Sequence, residues 1–149
     1  MHKILFVCLG NICRSPMAEF IMKDLVSTQH REEEFLIASC ATSTQELGNP
    51  VYPPARRKLA EHHIGCEGKY SILLKKSDFS DYDLIIGMDT NNIATLKRRC
   101  PLQDQHKIHL LLEYAGSSRS VADPWYTGDF EATWNDVLAG CQALLKQIQ

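Results

Sequence analysis

Ten consecutive residues hold most of the chemistry in this chain: Val7-Cys8-Leu9-Gly10-Asn11-Ile12-Cys13-Arg14-Ser15-Pro16. A thiol stands near one end and a guanidinium near the other, a pairing suited to attack on a phosphoryl group. A thiol is a poor nucleophile until it ionises. A helix N-terminus and a nearby guanidinium can lower a cysteine pKa from roughly 8.5 into the range 3.5–7.5. Arg14 offers a planar fork that matches two phosphate oxygens, which a lysine does not. The Ser15 hydroxyl can donate a further hydrogen bond to the Cys8 sulfur. Asn11 tolerates the left-handed backbone that converging N–H groups require. The amides of Leu9, Gly10, Asn11, Ile12 and Cys13 are the candidate phosphate cradle. The G-x4-G-K-[ST] pattern of a Walker loop is absent.

The spacing alone is weak evidence. With six cysteines and seven arginines, a C-x5-R coincidence is expected about 0.3 times in such a chain; requiring Ser or Thr next lowers this to about 0.03. The competing reading is a core cysteine followed by a loop arginine that caps something. A thiolate attack on a phosphate ester also needs an acid for the departing oxygen, and a positioned carboxyl typically supplies about 10²–10⁴-fold. Asp123 in Asp123-Pro124-Trp125-Tyr126 is the candidate, with a proline to stiffen the turn and two aromatic rings to wall a substrate ring. A plain Asp-Pro turn with core-packed aromatics is the alternative there.

These residues need elements to hold them. Lys3–Val7 is a short buried strand, and Ser15-Pro16 reads as an N-cap followed by proline at the first helical position. Ala18, Ile21, Met22, Leu25 and Val26 recur at helical spacing, which predicts a helix over 15–29. Phe35–Cys40 reads as a second strand. Pro53-Pro54 starts a helix to about His63, with Leu59 and Ala60 inward. Asp83–Met88 is a third strand, Thr90–Arg99 a helix, and Ile108–Leu112 a fourth apolar run. A last helix over about 130–148 puts Trp134, Val137, Leu138, Cys141, Leu145 and Ile148 on one stripe. Strands alternating with helices predict a single-domain α/β fold with a parallel sheet covered on both faces. Ligands gather at the carboxyl ends of such strands, where the Cys8 loop begins.

Composition narrows the field further. At 149 residues the chain fits one domain, here expected over 1–149, and its 44% hydrophobic and 23% charged residues are ordinary for a globular protein. A net charge of −2 gives no overall pull toward nucleic acid or an anionic membrane. The runs Ile4–Leu9 and Leu84–Met88 fall far short of the roughly 20 apolar residues that span a bilayer. The N-terminus does not read as a secretory signal, so the cytoplasm and reduced thiols are expected. No C-x2-C pair or zinc-finger spacing exists, so no metal site and no cofactor is expected. Cys40 and Cys141 read as small core residues. His62-His63 reads as solvated, and Tyr52, Tyr70 and Tyr82 as packing residues.

The segment FVCLGNICRSP followed by MAE resembles the signature of the low-molecular-weight protein tyrosine phosphatases. CATSTQELGNP at Cys40–Pro50, DYDLIIGMDTNN at Asp81–Asn92 and ADPWY at Ala122–Tyr126 extend the likeness over essentially the whole chain. The resemblance implies a four-stranded parallel sheet of flavodoxin-like topology and metal-free hydrolysis of phosphotyrosine in proteins or peptides by a monomer or weak dimer. It implies that Cys8 is the nucleophile, Asp123 the general acid, and Trp125 and Tyr126 the walls of the ring site. Ser39 and Asn92 match positions that brace the cradle around Asn11. A histidine usually completes that network, and the alignment puts Lys69 there instead. Cys13, close to Cys8, is the candidate partner for a reversible disulfide that protects the nucleophile from peroxide. Two relatives with the same loop compete: a protein-arginine phosphatase, in which Thr typically replaces Ile12, and a thiol-coupled arsenate reductase, which needs two more shuttling cysteines. A non-catalytic phosphate-binding or redox-sensing module is a third alternative.

Overall fold

Alternation along the first strand organises the whole molecule. In the computed structural model, which describes residues 1–148, β1 spans His2–Cys8. Ile4, Phe6 and Cys8 face one core; Leu5 and Val7 face another. Only a strand covered on both sides buries successive residues in this way. α1 (Arg14–Thr28), β2 (Phe35–Ala41) and α2 (Pro53–Glu61) follow, then a single turn, α3 (Asp78–Asp81). β3 (Leu84–Gly87), α4 (Thr90–Arg99) and β4 (Ile108–Leu110) complete the sheet, and α5 (Pro124–Thr127) and α6 (Phe130–Ile148) end the chain.

The four strands are parallel in the order β2-β1-β3-β4. Met17, Ile21 and Met22 of α1, Leu59 of α2 and Val137, Cys141 and Leu144 of α6 pack on the Ile4 and Phe6 face. Phe79 of α3 and Leu96 of α4 cover the opposite face. Phe6 is wholly buried, and cutting such a ring back to alanine costs about 3–5 kcal/mol. After β1 the chain goes one way to β2, then returns past β1 to β3. That reversal opens a crevice at the carboxyl ends of β1 and β3, the place where ligands bind in such sheets. Gly87 closes β3 there because a Cβ would meet the Ile93 side chain at 2.9 Å and Asn92 Cβ at 3.1 Å. This close approach seats the start of α4 against the crevice.

Several local expectations need correction. Ser15 is not the N-cap of α1: the helix starts at Arg14 with Cys13 at the cap and no side-chain cap bond, because the Ser15 hydroxyl is engaged with Cys8 and Asn11. Ala60 is exposed; Ala55 and Leu59, four apart, form the buried face of α2. His62 is not merely solvated, since its ring stacks on Trp134 at 3.7 Å and 5°. Tyr70 is 54% exposed and packs little. The fourth apolar run is strand only to Leu110, after which Leu111–Ala115 winds into a 3₁₀ turn.

Candidate active site

β1 ends at the Cys8 sulfur, and the next five residues wrap around it before α1 begins. Asn11 takes φ 57°, a left-handed conformation, and this turns its own N–H back onto Cys8 Sγ at 3.3 Å. Ser15 Oγ lies 3.0 Å from the same sulfur. The direction of that bond follows from its neighbours. Ile72 N–H donates to Asn11 Oδ1, which orients the amide so that Asn11 Nδ2 donates to Ser15 Oγ at 2.7 Å and to Ser39 Oγ at 2.9 Å. Ser15 accepts there, so its single proton points at the sulfur. Among the described residues, the N–H groups of Leu9, Gly10, Ile12 and Cys13 meet no protein acceptor. With no side chain capping α1, its first-turn N–H groups are open too. This is a ready anion site facing a thiol.

Arg14 is 3% exposed. Its Nη1 donates to Asp89 Oδ2 at 2.7 Å and to the Val121 carbonyl at 3.0 Å; its Nη2 reaches Asp123 Oδ2 at 3.4 Å. Burial opposes the charge, but Cys8 and the hydrogen bond to Asp89 outweigh it and hold the guanidinium above its ordinary value. Asp123 caps α5, accepting Trp125 N–H at 3.0 Å, so the proline-stiffened turn aims its carboxylate across the crevice. Trp125 and Tyr126 are exposed and line the cleft rather than packing into the core. Tyr52 backs that wall: its ring is 4.8 Å from Trp125, and its N–H donates to the Ile12 carbonyl at 2.9 Å.

The residues singled out from the sequence therefore do come together. Cys8, Leu9, Gly10, Asn11, Ile12, Cys13 and Arg14 line one cleft with Asp123, Trp125 and Tyr126. Gln45 and Glu46 add its opposite rim. Cys13 is buried beside the nucleophile, and its thiol is pushed up to about 12 by desolvation and by the charges of Cys8 and Asp123. Cys40 and Cys66 are both buried, and desolvation holds each thiol above its ordinary value. Among the described residues no group of three or more His, Cys, Asp or Glu side chains could hold a metal ion.

One of the two expected bracing residues differs from expectation. Ser39 does bond Asn11, but Asn92 serves elsewhere: its Oδ1 accepts from Met88 N–H and Asp89 N–H, and its own N–H caps onto Asp89 Oδ1. Asn92 thus steadies Asp89, which in turn steadies Arg14. Asp89 itself carried no functional signal, because an acidic N-cap before a helix is common. Glu19 was missed as well. It is 5% exposed, accepts from Ser39 Oγ at 2.6 Å, pairs with Lys23 at 2.6 Å, and lies 3.5 Å from Lys69. Lys69 also donates to the Ser39 carbonyl at 2.7 Å. The MAE following the loop was the only available signal for Glu19.

Known proteins resemble this chain along nearly its whole length. The family described as Low molecular weight phosphotyrosine protein phosphatase matches residues 3–149. Low molecular weight protein-tyrosine-phosphatase YfkJ of Bacillus subtilis is 37% identical over all of this chain and 97% of its own length, and its crystal structure superposes with a TM-score of 0.95. The crystal structure of SP-PTP, a low molecular weight protein tyrosine phosphatase from Streptococcus pyogenes, is 44% identical with a TM-score of 0.89, covering 100% of this chain and 94% of that one. That of DARP, a Drosophila arginine phosphatase, is 28% identical with a TM-score of 0.91, covering 99% and 98%. With the match running nearly end to end, the chain belongs to the low molecular weight phosphotyrosine protein phosphatase family.

Proposed function

We propose that this protein hydrolyses phosphotyrosine in proteins and peptides, and small aryl phosphates, through a cysteinyl-phosphate intermediate. The observation that carries the reading is one sulfur held between hydrogen-bond donors at an uncapped helix start, with Arg14 and Asp123 across the cleft. Asn11 N–H and the Ser15 hydroxyl hold the Cys8 sulfur at the floor of the cleft. Arg14 and the open N–H groups of the loop take the equatorial phosphoryl oxygens as charge redistributes. The sulfur forms a bond to phosphorus while the phosphorus–oxygen bond to the phenol breaks, and Asp123 gives that oxygen its proton. Asp123 then takes a proton from the water that attacks phosphorus, releasing phosphate and restoring the thiolate. Leu9 on one side and Trp125 with Tyr126 on the other flank the flat ring. Ser39 and Asn92 act at one remove, through Asn11 and Asp89.

The proposed chemistry draws on no metal or cofactor, and the reading assigns it to the cytoplasm and to a monomer or weak dimer. No helix among the described residues is long and apolar enough to cross a membrane. The test is hydrolysis of p-nitrophenyl phosphate with EDTA and with vanadate. Turnover that resists EDTA, is blocked by vanadate and disappears in Cys8→Ser is expected; near-normal turnover in Cys8→Ser would end the proposal. The similarity to an arginine phosphatase makes phosphoarginine the substrate to compare. The exposed Trp125 and Tyr126 beside Ile12 favour the aryl ester, so phosphotyrosine should be the faster substrate.

A further inference from the structure

The phosphate cleft shares a wall with a larger neighbour. Leu9, Arg14, Asp123 and Tyr126 border both the cleft, about 70 Å³, and a second cavity of about 350 Å³. The second cavity is completed by Thr42, just past β2, and by Asp89, Asn91, Asn92 and Thr95 around the first turns of α4. Beyond the shared wall, the phosphoryl transfer described above uses only the bracing that Asp89 and Asn92 give Arg14.

Its chemistry is that of hydroxyls and amides. The Asp89 carboxylate is already committed, one oxygen to Asn92 N–H and the other to Arg14. What remains can hydrogen-bond a polypeptide backbone without demanding a charge. The charge comes further along. Asn91, Thr95 and Arg99 are spaced by four residues and so lie on one face of α4. Eight residues of helix put the Arg99 backbone roughly 12 Å beyond Asn91, and its side chain reaches back toward the cavity. Arg99 Nη1 donates to the Thr42 carbonyl at 3.2 Å, which pins the guanidinium against a residue of the cavity wall. Among the described residues no carboxylate pairs with it, so its other donors are available. On the opposite rim of the phosphate cleft, Glu46 holds only the Asn49 amide at 2.6 Å. The mouth is therefore acidic on one side and basic on the other.

We infer that the second cavity is a subsite for the polypeptide flanking the phosphotyrosine, and that Arg99 reads an acidic side chain in that segment. Thr42 N–H is itself bonded to the Cys8 carbonyl, so the guanidinium lies close to the phosphate loop and the acid it meets is within the first few residues on one side of the phosphotyrosine. A partly exposed Arg–carboxylate pair gives a preference of roughly two- to fivefold in kcat/KM. The inference rests on the phosphotyrosyl-peptide reading, so its test includes a substrate without flanks.

The experiment is a scan of synthetic phosphotyrosyl peptides on an alanine background, with one aspartate moved through about four positions on each side. Wild type should favour aspartate at one position on one side only, and added salt should shrink that preference. Arg99→Ala should erase it, Arg99→Lys should keep part of it, and p-nitrophenyl phosphate should be hydrolysed alike by all three. Thr95→Phe, which fills the cavity, should raise KM for peptides and leave p-nitrophenyl phosphate unchanged. A flat scan in wild type, or a preference untouched by Arg99→Ala, would overturn the subsite while p-nitrophenyl phosphate turnover keeps the phosphatase reading intact. Loss of turnover on every substrate in wild type would sink the phosphatase reading, and the subsite with it.

Discussion

Asp89 offers a perturbation in which binding and folding can be separated, because its two carboxylate oxygens have different partners. Oδ1 accepts Asn92 N–H at 2.6 Å and caps α4, while Oδ2 accepts Arg14 Nη1 at 2.7 Å. Asp89→Ser keeps a good cap and gives up the guanidinium; Asp89→Ala gives up both. A hydrogen bond to a charged group contributes roughly 1.5–3 kcal/mol. Arg14 keeps the Val121 carbonyl and Asp123, so the lower part of that range applies, about 1.5–2 kcal/mol. At about 1.4 kcal/mol per decade, kcat/KM should fall roughly ten- to thirtyfold in both variants. The lost cap adds about 1 kcal/mol of instability to Asp89→Ala alone. Asp89→Asn should fare no better than Asp89→Ser despite its shape, since an NH2 group replaces one of the two accepting oxygens and would face a donor. The assay is kcat/KM for p-nitrophenyl phosphate beside urea unfolding of each variant. A serine variant within about twofold of wild type would refute the reasoning, and so would an alanine variant that loses a further tenfold in rate rather than in stability.

Asp123→Ala should lose roughly 10²–10⁴ in rate on phenyl phosphates, with the loss growing as the leaving group becomes more basic; equal losses across a leaving-group series would contradict its role as acid. Tyr52 joins the phosphate loop to Trp125, so Tyr52→Ala should slow poor leaving groups most and Tyr52→Phe should restore them. If Tyr52→Ala matched wild type across the series, that link would be idle. Burial holds the thiols of Cys13, at about 12, and of Cys40 and Cys141 above their ordinary value. The unfolded chain releases these protons first, so stability should be full at neutral pH and decline from about pH 9 toward 12; urea midpoints that stay level in that window would contradict it. Peroxide should inactivate the wild type reversibly, and Cys13→Ser should recover less activity on reduction. Equal recovery would remove Cys13 from any protective role.

What the sequence shows well is what lies close together along it. Cys8, Asn11, Arg14 and Ser15 fall within eight residues, and the strand before them and helix after them are both strongly patterned. The same holds for Asp123 to Tyr126. The sheet was legible because Ile4–Val7, Phe35–Cys40 and Leu84–Met88 are apolar runs of strand length. Asp89 was hidden because its partner is 75 positions away and its local environment explains it fully as a cap. Glu19 was hidden because a Glu–Lys pair four apart, here with Lys23, reads as a solvated helix face. It is buried only because Ser39 and Lys69, from distant segments, close over it. Ser15 misled for a related reason. Its Ser-Pro pattern is that of a helix cap, yet the Cys8 sulfur and Asn11 claim the hydroxyl, and no count of local propensity contains that competition.

The central claim is that phosphate passes through one sulfur atom. Rapid quenching of wild-type protein with p-nitrophenyl phosphate, in acid that preserves a thiophosphate, followed by peptide mass analysis, tests it most directly. The account predicts one added phosphoryl group on the peptide bearing Cys8, accumulating further in Asp123→Ala, where hydrolysis lacks its base. Turnover with no phosphorylated peptide in either protein, or with the group on a residue other than Cys8, would contradict it.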